Sequence, residues 1–513
     1  MHAKVFSATT IGVNAYPVEV EADVSFGLVR FDIVGLPDTA IRESSKRVQT
    51  ALKNSGIRLP TKKITVNLAP ADLKKEGMLF DLPIAVAIML AAEYMEISKQ
   101  FLQETIFLGE LSLDGHIRQI KGALAVAYDA HKLHKKRLIV PEANVAEAAL
   151  IDGLEIIGVN SITHLVAYLR KESVVEPTPH RAPELKQNGA HMIDFAQVKG
   201  QRQAKRALQI AAAGRHNILF VGPPGSGKTM LAKRLETIMP PLSFDEMLET
   251  SKVYSISGKL LNRKLMVKRP FRSPHHTISQ AGLVGGGSYP HPGEISLAHN
   301  GILFLDELTE FKRDTLEVLR QPLENKTVCI ARAQHTISFP ASFLLVAALN
   351  PCPCGFWGDK KRTCTCCPQK ISRYLEKLSG PLLDRIDIQI NVQSVEYSTI
   401  KDKSTDNLSS AQMYESIQKA LEKQYKRFAS KVITNSSMTP DMIEKYCILT
   451  EQAETILKKA FDVLHLSMRG YHKLLKLART IADLEDVEII DVPHIKEALM
   501  YRALEQTLEK GRR

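Results

Sequence analysis

The stretch that decides the fold is NILFVGPPGSGKTMLAKRLETI, residues 217–238. A short apolar strand, Asn217–Val221, leads into a glycine-rich loop, and a helix over Thr229–Ile238 follows at once. Glycines let such a loop wrap tightly, so that backbone N–H groups and the helix N-terminus face a triphosphate. We expect Lys228 to reach the β- and γ-phosphates and Thr229 to hold Mg²⁺. The loop residues expected to bind ATP are Gly222, Pro223, Pro224, Gly225, Ser226, Gly227, Lys228 and Thr229.

Two further apolar strands end in polar residues suited to the same site. The predicted strand Gly301–Leu305 is followed by Asp306 and Glu307, and the predicted strand Phe343–Ala348 comes just before Asn350. Strands that alternate with helices indicate a parallel sheet, whose ligands lie at the carboxyl ends of its strands. We therefore expect Asp306 to bind Mg²⁺ with Thr229, and Glu307 to polarise the attacking water.

Periodicity divides the chain into parts of an α/β protein. Residues 1–170 read as a mixed α/β domain, 171–193 as a linker, 194–395 as the nucleotide-binding core and 396–513 as a helical lid. Apolar spacing of three and four residues predicts the lid helices Ala411–Phe428, Thr439–Ala460, Tyr471–Leu484 and Val492–Leu508.

Charge and composition narrow the possible partners. A net charge of +12 favours an anionic partner such as nucleic acid, although a solvated basic surface without a partner fits equally. No run of eighteen apolar residues and no signal peptide is recognisable, so we expect a cytoplasmic protein that does not enter a membrane.

The segment between the P-loop and Asp306 is the best candidate for contact with DNA. It is basic before residue 275 and continues with His275, His276 and the glycine-rich turn Gly285–Gly287. The segment Val328–Pro340 reads as a hairpin with Arg332 near its tip. The candidate DNA contacts are Arg272, His275, His276 and Arg332, and the alternative is that these elements pack or form a subunit interface. The other basic residues are Lys259, Arg263, Lys264, Lys268 and Arg269.

Three long motifs carry a resemblance to a known family. They are RPFRSPHHTISQAGLVGGGSYPHPGEISLAHNGILFLDELTEF (269–311), NPCPCG (350–355) and SGPLLDRIDI (379–388). In these motifs the chain resembles the YifB/ComM family of magnesium-chelatase-like AAA+ ATPases along essentially its whole length. The resemblance implies an AAA+ P-loop ATPase core, an N-terminal domain of the ribosomal-S5-domain-2 and Lon-protease type, and a C-terminal helical lid.

The same resemblance implies roles for residues that the spacing alone does not explain. Asn350 is implied as sensor 1, Arg385 as an arginine finger acting on a neighbouring subunit, and Arg469 as the sensor 2 arginine. Both arginines also admit the ordinary interpretation of surface or ion-pair residues. A finger that acts in trans needs a ring, so a homo-hexamer is implied. The implied cofactors are ATP and Mg²⁺.

Five of the seven cysteines lie within residues 352–367. Two close pairs of thiols suit tetrahedral Zn²⁺, and free thiols are the alternative. The family pattern matches Cys352, Cys354, Cys364 and Cys366, with Cys367 as an extra. We interpret Cys329 and Cys447 as ordinary buried thiols.

Residues 109–141 resemble the proteolytic domain of Lon. The matching stretch 75–83, KEGMLFDLP, contains no serine, and Leu124 stands near the position of the lysine base, with Lys121 three residues earlier. Without a nucleophile there is no nucleophilic catalysis, so we expect a non-proteolytic domain that binds DNA, binds a partner or supports the ring.

Three functions remain open at this point. The resemblance favours an ATP-dependent DNA motor, a helicase that promotes branch migration in homologous recombination during natural transformation. The alternatives are an ATPase that remodels a protein or chelatase-like complex without DNA, and a ring that serves as a scaffold for protein partners.

Overall fold

The computed structural model describes residues 2–73, 75, 77–180, 193–260, 265–287, 290–331, 336–359, 361–395 and 408–502. Within these residues the strands are β1 His2–Ile11, β2 Asn14–Ser25, β3 Phe31–Val34, β4 Lys63–Ala69, β5 Thr105–Phe107, β6 Glu110–Leu111, β7 Ile117–Arg118, β8 Arg137–Pro141, β9 Glu155–Val159, β10 Ile218–Val221, β11 Phe271–Arg272, β12 Gly285–Gly286, β13 His291–Pro292, β14 Ile302–Leu305, β15 Thr327–Ala331, β16 Thr336–Pro340, β17 Leu344–Leu349 and β18 Ile388–Asn391.

The helices of the same residues are α1 Thr39–Asn54, α2 Asp81–Ala91, α3 Lys99–Glu104, α4 Ala123–Lys132, α5 Val145–Ala148, α6 Ile162–Leu169, α7 Arg202–Gly214, α8 Lys228–Arg234, α9 Phe244–Ile256, α10 Gln280–Val284, α11 Glu294–Leu297, α12 Arg313–Glu317, α13 Arg320–Asn325, α14 Pro368–Leu375, α15 Gly380–Leu383, α16 Ser410–Phe428, α17 Pro440–Tyr446, α18 Glu451–Val463, α19 Met468–Leu484 and α20 Val492–Met500. No helix in the described part of the chain is both long and apolar enough to cross a lipid bilayer.

The chain divides into two compact units. The first comprises Met1–Lys186, Phe244–Val267 and Ala331–Phe339, and the second comprises the remaining segments. The predicted core and helical lid share one hydrophobic cluster, in which Leu208 and Ala211 of α7 pack with Ile481 of α19. The division into compact units therefore places the predicted core and the predicted lid in the same unit. The division of the chain into three domains stays a prediction. Most of the predicted linker, 171–193, lies outside the described residues.

The first unit is built on a seven-stranded mixed sheet in the order β3-β4-β2-β1-β5-β8-β9. β1, β2 and β4 pair antiparallel, whereas β5, β8 and β9 continue the sheet in parallel. Ten of the eleven residues of α2 are buried, which explains its continuous apolar run. This alternation of strands and helices confirms the mixed α/β fold expected for the N-terminal part.

A segment that follows the P-loop in sequence belongs to the first unit. Leu248 of α9 and Leu265 lie in the same buried cluster as Leu124 of α4. The ammonium group of Lys252 lies 4.3 Å from the centre of the Tyr128 ring. Compactness thus places residues 244–267 of the expected core, 194–395, in the first unit, and the bounds of the core stay a prediction.

The second unit contains a five-stranded parallel sheet in the order β11-β14-β17-β10-β18. All four pairings are parallel, and every residue of β10, β14 and β17 is buried. Burial on both faces explains why these strands read as continuous apolar runs. The predicted parallel sheet is confirmed, with its strands within one or two residues of the expected bounds.

The helical part differs from the prediction at one place. The predicted helix Thr439–Ala460 is two helices, α17 and α18, because Cys447 has a non-helical backbone and Thr450 caps a new helix by accepting from the N–H of Ala453. The predicted helix Val492–Leu508 is described as far as Met500, and its remainder lies beyond the described residues.

A buried carboxylate holds this helical part together. Asp483 of α19 is fully buried and accepts hydrogen bonds from Arg427, Arg479 and Asn435, the last at 2.7 Å. Burial lowers the pKa of the Arg479 guanidinium, and Asp483 opposes this effect.

Replacing Asp483 by alanine leaves two largely buried guanidinium groups without their carboxylate. We expect Asp483→Ala to lower the free energy of unfolding of the helical part by about 3–5 kcal/mol, measured by urea unfolding followed by circular dichroism. Asp486→Asn is the matched control, because Asp486 is exposed and pairs with Lys423 at the surface. Equal stability of the two variants would contradict the structural role of Asp483.

Candidate active site

The P-loop has the backbone that phosphate binding requires. Gly225 and Gly227 have φ angles of +77° and +91°, which disfavour any side chain with a Cβ. At Gly222 a Cβ would lie 2.1 Å from the carbonyl oxygen of Val392. Helix α8 begins directly after the loop at Lys228, so its first N–H groups face the loop.

Lys228 connects the P-loop to the next strand of the sheet. Its Nζ donates to the carbonyl oxygens of Gly222 and Pro223 at 2.7 and 2.9 Å, and to Oδ1 of Asn350 at 3.1 Å. Burial lowers the pKa of the Lys228 ammonium, while Asp306 and Glu307 oppose this shift. The ammonium therefore lies among oxygen acceptors where the phosphates of a nucleotide are expected.

Thr229 and Asp306 provide oxygen ligands of the kind that Mg²⁺ prefers. The Thr229 hydroxyl donates to Oδ2 of Asp306 at 2.7 Å, which joins the start of α8 to the end of β14. A hydroxyl and a carboxylate that face each other across the end of a parallel sheet fit a magnesium ion held with substrate phosphates. The structure brings these two predicted ligands together.

Glu307 stands beside this pair in an unusual backbone conformation. Its φ is +51°, in the left-handed region, which costs a non-glycine residue about 1–2 kcal/mol. The side chain is 55% exposed, and Oε2 lies 3.5 Å from Nδ1 of His276. Such strain is common at functional positions, and an exposed carboxylate next to Asp306 suits contact with a water molecule.

Both histidines proposed for DNA contact lie near this acid. The rings of His275 and His276 are 4.1 Å apart, and His276 faces Glu307. Sequence reasoning assigned His276 to DNA and did not foresee its contact with the candidate base, because the two residues are 31 positions apart (307 − 276).

Arg385 and Arg469 share one partner that the sequence did not reveal. An Nη of Arg385 lies 2.7 Å from Oε1 of Glu324, and Arg469 contacts the same carboxylate oxygen. The Arg385 side chain is only 10% exposed, and its Nε has no partner among the described residues. The two arginines lower the pKa of the Glu324 carboxyl through hydrogen bonds. Within the single chain, then, both arginines contact Glu324.

Arg272 and Arg269 both donate hydrogen bonds to other residues of the same chain. Arg272, on β11, donates to both oxygens of Glu294 at 2.6 and 2.7 Å. Arg269 is buried and donates to the backbone carbonyls of Pro240, Pro241 and Asn300. The guanidinium of Arg272 thus has a bidentate carboxylate partner, and its contact with DNA stays a prediction. Arg332 lies outside the described residues, between β15 and β16, which form a two-stranded sheet.

Four of the cysteines form a compact cluster. The Sγ atoms of Cys352, Cys354, Cys364 and Cys366 all lie within 4.8 Å of one another, and the three pairs among Cys352, Cys354 and Cys364 are 3.3, 3.5 and 3.6 Å apart. Four sulfurs bound to one tetrahedral Zn²⁺ lie about 3.8 Å apart, given Zn–S bonds of about 2.3 Å. The donor set therefore fits the metal.

The thiols of the cluster differ in acidity, because burial raises the pKa of the Cys352 and Cys364 thiols, whereas the pKa of the Cys354 thiol is lowered. Backbone N–H groups of Phe356 and Thr365 lower the pKa of the Cys354 thiol to about 6. By contrast, burial raises the pKa of the Cys447 thiol to about 12, so that thiol stays protonated. Cys329 was expected to be buried and is exposed, because alternation along β15 turns it outward.

The parallel sheet, the P-loop and the acidic and amide residues at the strand ends define a P-loop ATPase of the AAA+ class. Three family models match the chain: "Magnesium chelatase, subunit ChlI" over residues 194–400, "Subunit ChlI of Mg-chelatase" over 20–144 and "Magnesium chelatase, subunit ChlI C-terminal" over 407–502. The chain is 43% identical to Competence protein ComM of Haemophilus influenzae over 99% of each chain. It is 42% identical to the uncharacterized protein YifB of Escherichia coli over 98% of this chain and 97% of that one. The chain belongs to the YifB/ComM family of magnesium-chelatase-like AAA+ ATPases.

Two further similarities each cover only a part of the chain. Lon protease 2 of Bacillus subtilis is 28% identical over 150 residues, 28% of this chain and 27% of that one. DNA replication licensing factor mcm-5 of Caenorhabditis elegans is 23% identical over 319 residues, 56% of this chain and 39% of that one. The first supports the Lon-like fold expected for one part of the chain.

Proposed function

We propose that the chain is an ATP-dependent, hexameric DNA motor, a cytoplasmic helicase that promotes branch migration in homologous recombination during natural transformation. The observation that carries the proposal is the conjunction of a complete ATP site with near-full-length similarity to a competence protein. In this proposal Asn350 acts as sensor 1, Arg385 as the finger for the neighbouring subunit and Arg469 as sensor 2.

The choice of DNA as partner has three supports. The net charge is +12, the partial similarity to mcm-5 is to a protein named for DNA replication, and the segment between P-loop and Asp306 keeps exposed basic residues. Lys259 and Lys268 are exposed there, whereas Arg269 and Arg272 are used inside the fold. Lys268, with His275, is thus a better candidate than Arg272 for contact with the DNA backbone.

The test is the rate of ATP hydrolysis with single-stranded, duplex and forked DNA. We expect at least one form to stimulate hydrolysis several-fold, and Glu307→Gln to abolish the stimulated rate. Lys268→Gln should reduce the slope of binding affinity against salt by about one. Lys419→Gln, at an exposed lysine of α16, is the matched control and should leave the slope unchanged. If no DNA form is bound at modest salt or stimulates hydrolysis, the motor proposal fails.

One observation favours a second function. All three matching family models are named for a subunit of magnesium chelatase. An ATPase that remodels a protein or chelatase-like complex would hydrolyse ATP at the same rate with and without DNA, so the assay above separates the two functions.

The first unit is proposed to be non-proteolytic. Leu124, near the position of the lysine base, is buried in α4, and residues 75–83 contain no serine. A domain without nucleophile and base lacks the groups that peptide cleavage needs.

We also propose that the four clustered cysteines hold one structural Zn²⁺. Purified protein is expected to contain about one equivalent of zinc, measured by elemental analysis, because the sulfur separations fit tetrahedral coordination. Cys364→Ser should lower the bound zinc to well under half an equivalent, whereas Cys367→Ser, at an exposed neighbour, should leave it unchanged. Metal-free wild-type protein would contradict the proposal.

A further inference from the structure

The cysteine cluster and the P-loop are in direct contact through the short segment that follows β17. Asn350, which accepts from Lys228, lies two residues before Cys352. A Cβ on Gly355 would lie 2.6 Å from Cδ of Pro224, so the backbone of the cysteine loop touches the phosphate-binding loop itself. The N–H of Gly355 in turn donates to the carbonyl oxygen of Cys352 at 2.9 Å.

Trp357 contacts the cysteine cluster and also lies beside the P-loop. Its backbone N–H donates to Sγ of Cys352 at 3.3 Å, and its side chain packs against the apolar residues around the cluster. Trp357 and Pro351 also line a groove of about 90 Å³ together with Gly222 and Pro223 of the P-loop. The chain has a single tryptophan, so its fluorescence reports on this groove alone.

The shape of this segment depends on the four sulfurs staying together. The described residues contain no disulfide. A cation bound by the four sulfurs would hold them together and close the loop between residues 352 and 366. When the loop is held, Gly355 is held against Pro224 and Asn350 beside Lys228.

We propose that the cysteine metal site and the nucleotide site are energetically coupled, with Gly355 against Pro224 and Asn350 on Lys228 as the transmitting contacts. The inference deepens the proposed function, because it rests on the zinc and ATP sites assigned there. Coupling between two binding equilibria is reciprocal, so the metal must strengthen nucleotide binding by the same factor by which nucleotide strengthens metal binding.

The first measurement is the affinity for ADP, followed by the fluorescence of Trp357 in the full-length protein. We expect the dissociation constant to be about 10-fold higher after zinc is removed with a chelator, within the usual range for coupled sites. Zinc affinity, measured by competition with a chromogenic chelator, is expected to rise by the same factor in saturating ADP. Equal ADP affinities with and without zinc would overturn the coupling.

Two glycine substitutions test the contact without removing the metal. Gly355 and Gly358 have similar positive φ angles, +85° and +77°, so alanine strains both positions alike. Only at Gly355 would the new Cβ collide with Pro224, since nothing lies within 4 Å of a Cβ at Gly358. We expect Gly355→Ala to keep about one zinc and to bind ADP several-fold more weakly, and Gly358→Ala to bind both as the wild type does.

These variants keep the inference testable even if chelation unfolds the loop. Zinc-loaded Gly355→Ala protein with wild-type ADP affinity would overturn the inference. The readouts are binding constants and use no DNA. If the DNA motor proposal fails, these binding constants are still expected to show the coupling. If the coupling is absent, DNA is still expected to stimulate ATP hydrolysis.

Discussion

Glu307→Gln is expected to lower the rate of ATP hydrolysis by about 10²- to 10⁴-fold while ATP still binds. A positioned general base contributes a factor of this size, and glutamine keeps the shape of the side chain but cannot accept a proton. The residues proposed to contact the phosphates and magnesium, Lys228, Thr229 and Asp306, remain unchanged. Steady-state phosphate release and ATP binding, measured on the same preparation, separate the two effects.

Glu310→Gln is the matched control for this variant. Glu310 is exposed and lies in the same short turn, three residues after Glu307. Its loss should change hydrolysis by less than about twofold, since it lies outside the set of residues that meet at the strand ends. A Glu307→Gln protein that retained a tenth or more of the wild-type rate would show that another group activates the water.

Arg385→Ala is expected to reduce hydrolysis about 10³-fold or more, the usual contribution of an arginine finger. Within one chain Arg385 contacts Glu324, and its catalytic contact is proposed to be with the ATP of a neighbouring subunit. Arg320→Ala is the control, because Arg320 forms an exposed ion pair with Glu317 close to Glu324 in sequence.

Mixing two inactive variants tests whether the finger acts in trans. Lys228→Ala protein cannot hold the phosphates but has an intact finger, whereas Arg385→Ala protein has an intact ATP site. If the subunits exchange, mixed rings should recover a clear fraction of the wild-type rate. A mixture no more active than its two components would contradict the trans-acting role, and the same mixture with Arg320→Ala in place of Lys228→Ala measures the upper limit of recovery.

The sequence predicted the ATP site because each of its parts has a local signature. The P-loop lies between a strand and a helix, and Asp306 and Asn350 follow strands that are buried on both faces. In a parallel sheet such positions converge without further information. The same logic explains why the parallel sheet itself was predictable.

Contacts between distant parts of the chain had no such signature. Glu324 lies in a short helix with no recognisable motif, and its two arginine partners are 61 and 145 positions away (385 − 324 and 469 − 324). Likewise, nothing in the spacing shows that Arg272 is neutralised by Glu294. The sequence therefore shows which residues of a candidate DNA surface are charged, but it does not show which of them already have a partner in the fold.

The contact of Arg385 with Glu324 has a consequence for when the protein consumes ATP. If Arg385 is the finger, as proposed, a subunit by itself keeps this arginine paired with its own Glu324, and the guanidinium is not available to the γ-phosphate of another subunit. Hydrolysis should consequently rise more steeply than in proportion to protein concentration, with a threshold where subunits begin to associate. In a cell with few copies of the protein, unassembled subunits would then hydrolyse little ATP, and hydrolysis would begin when the subunits assemble.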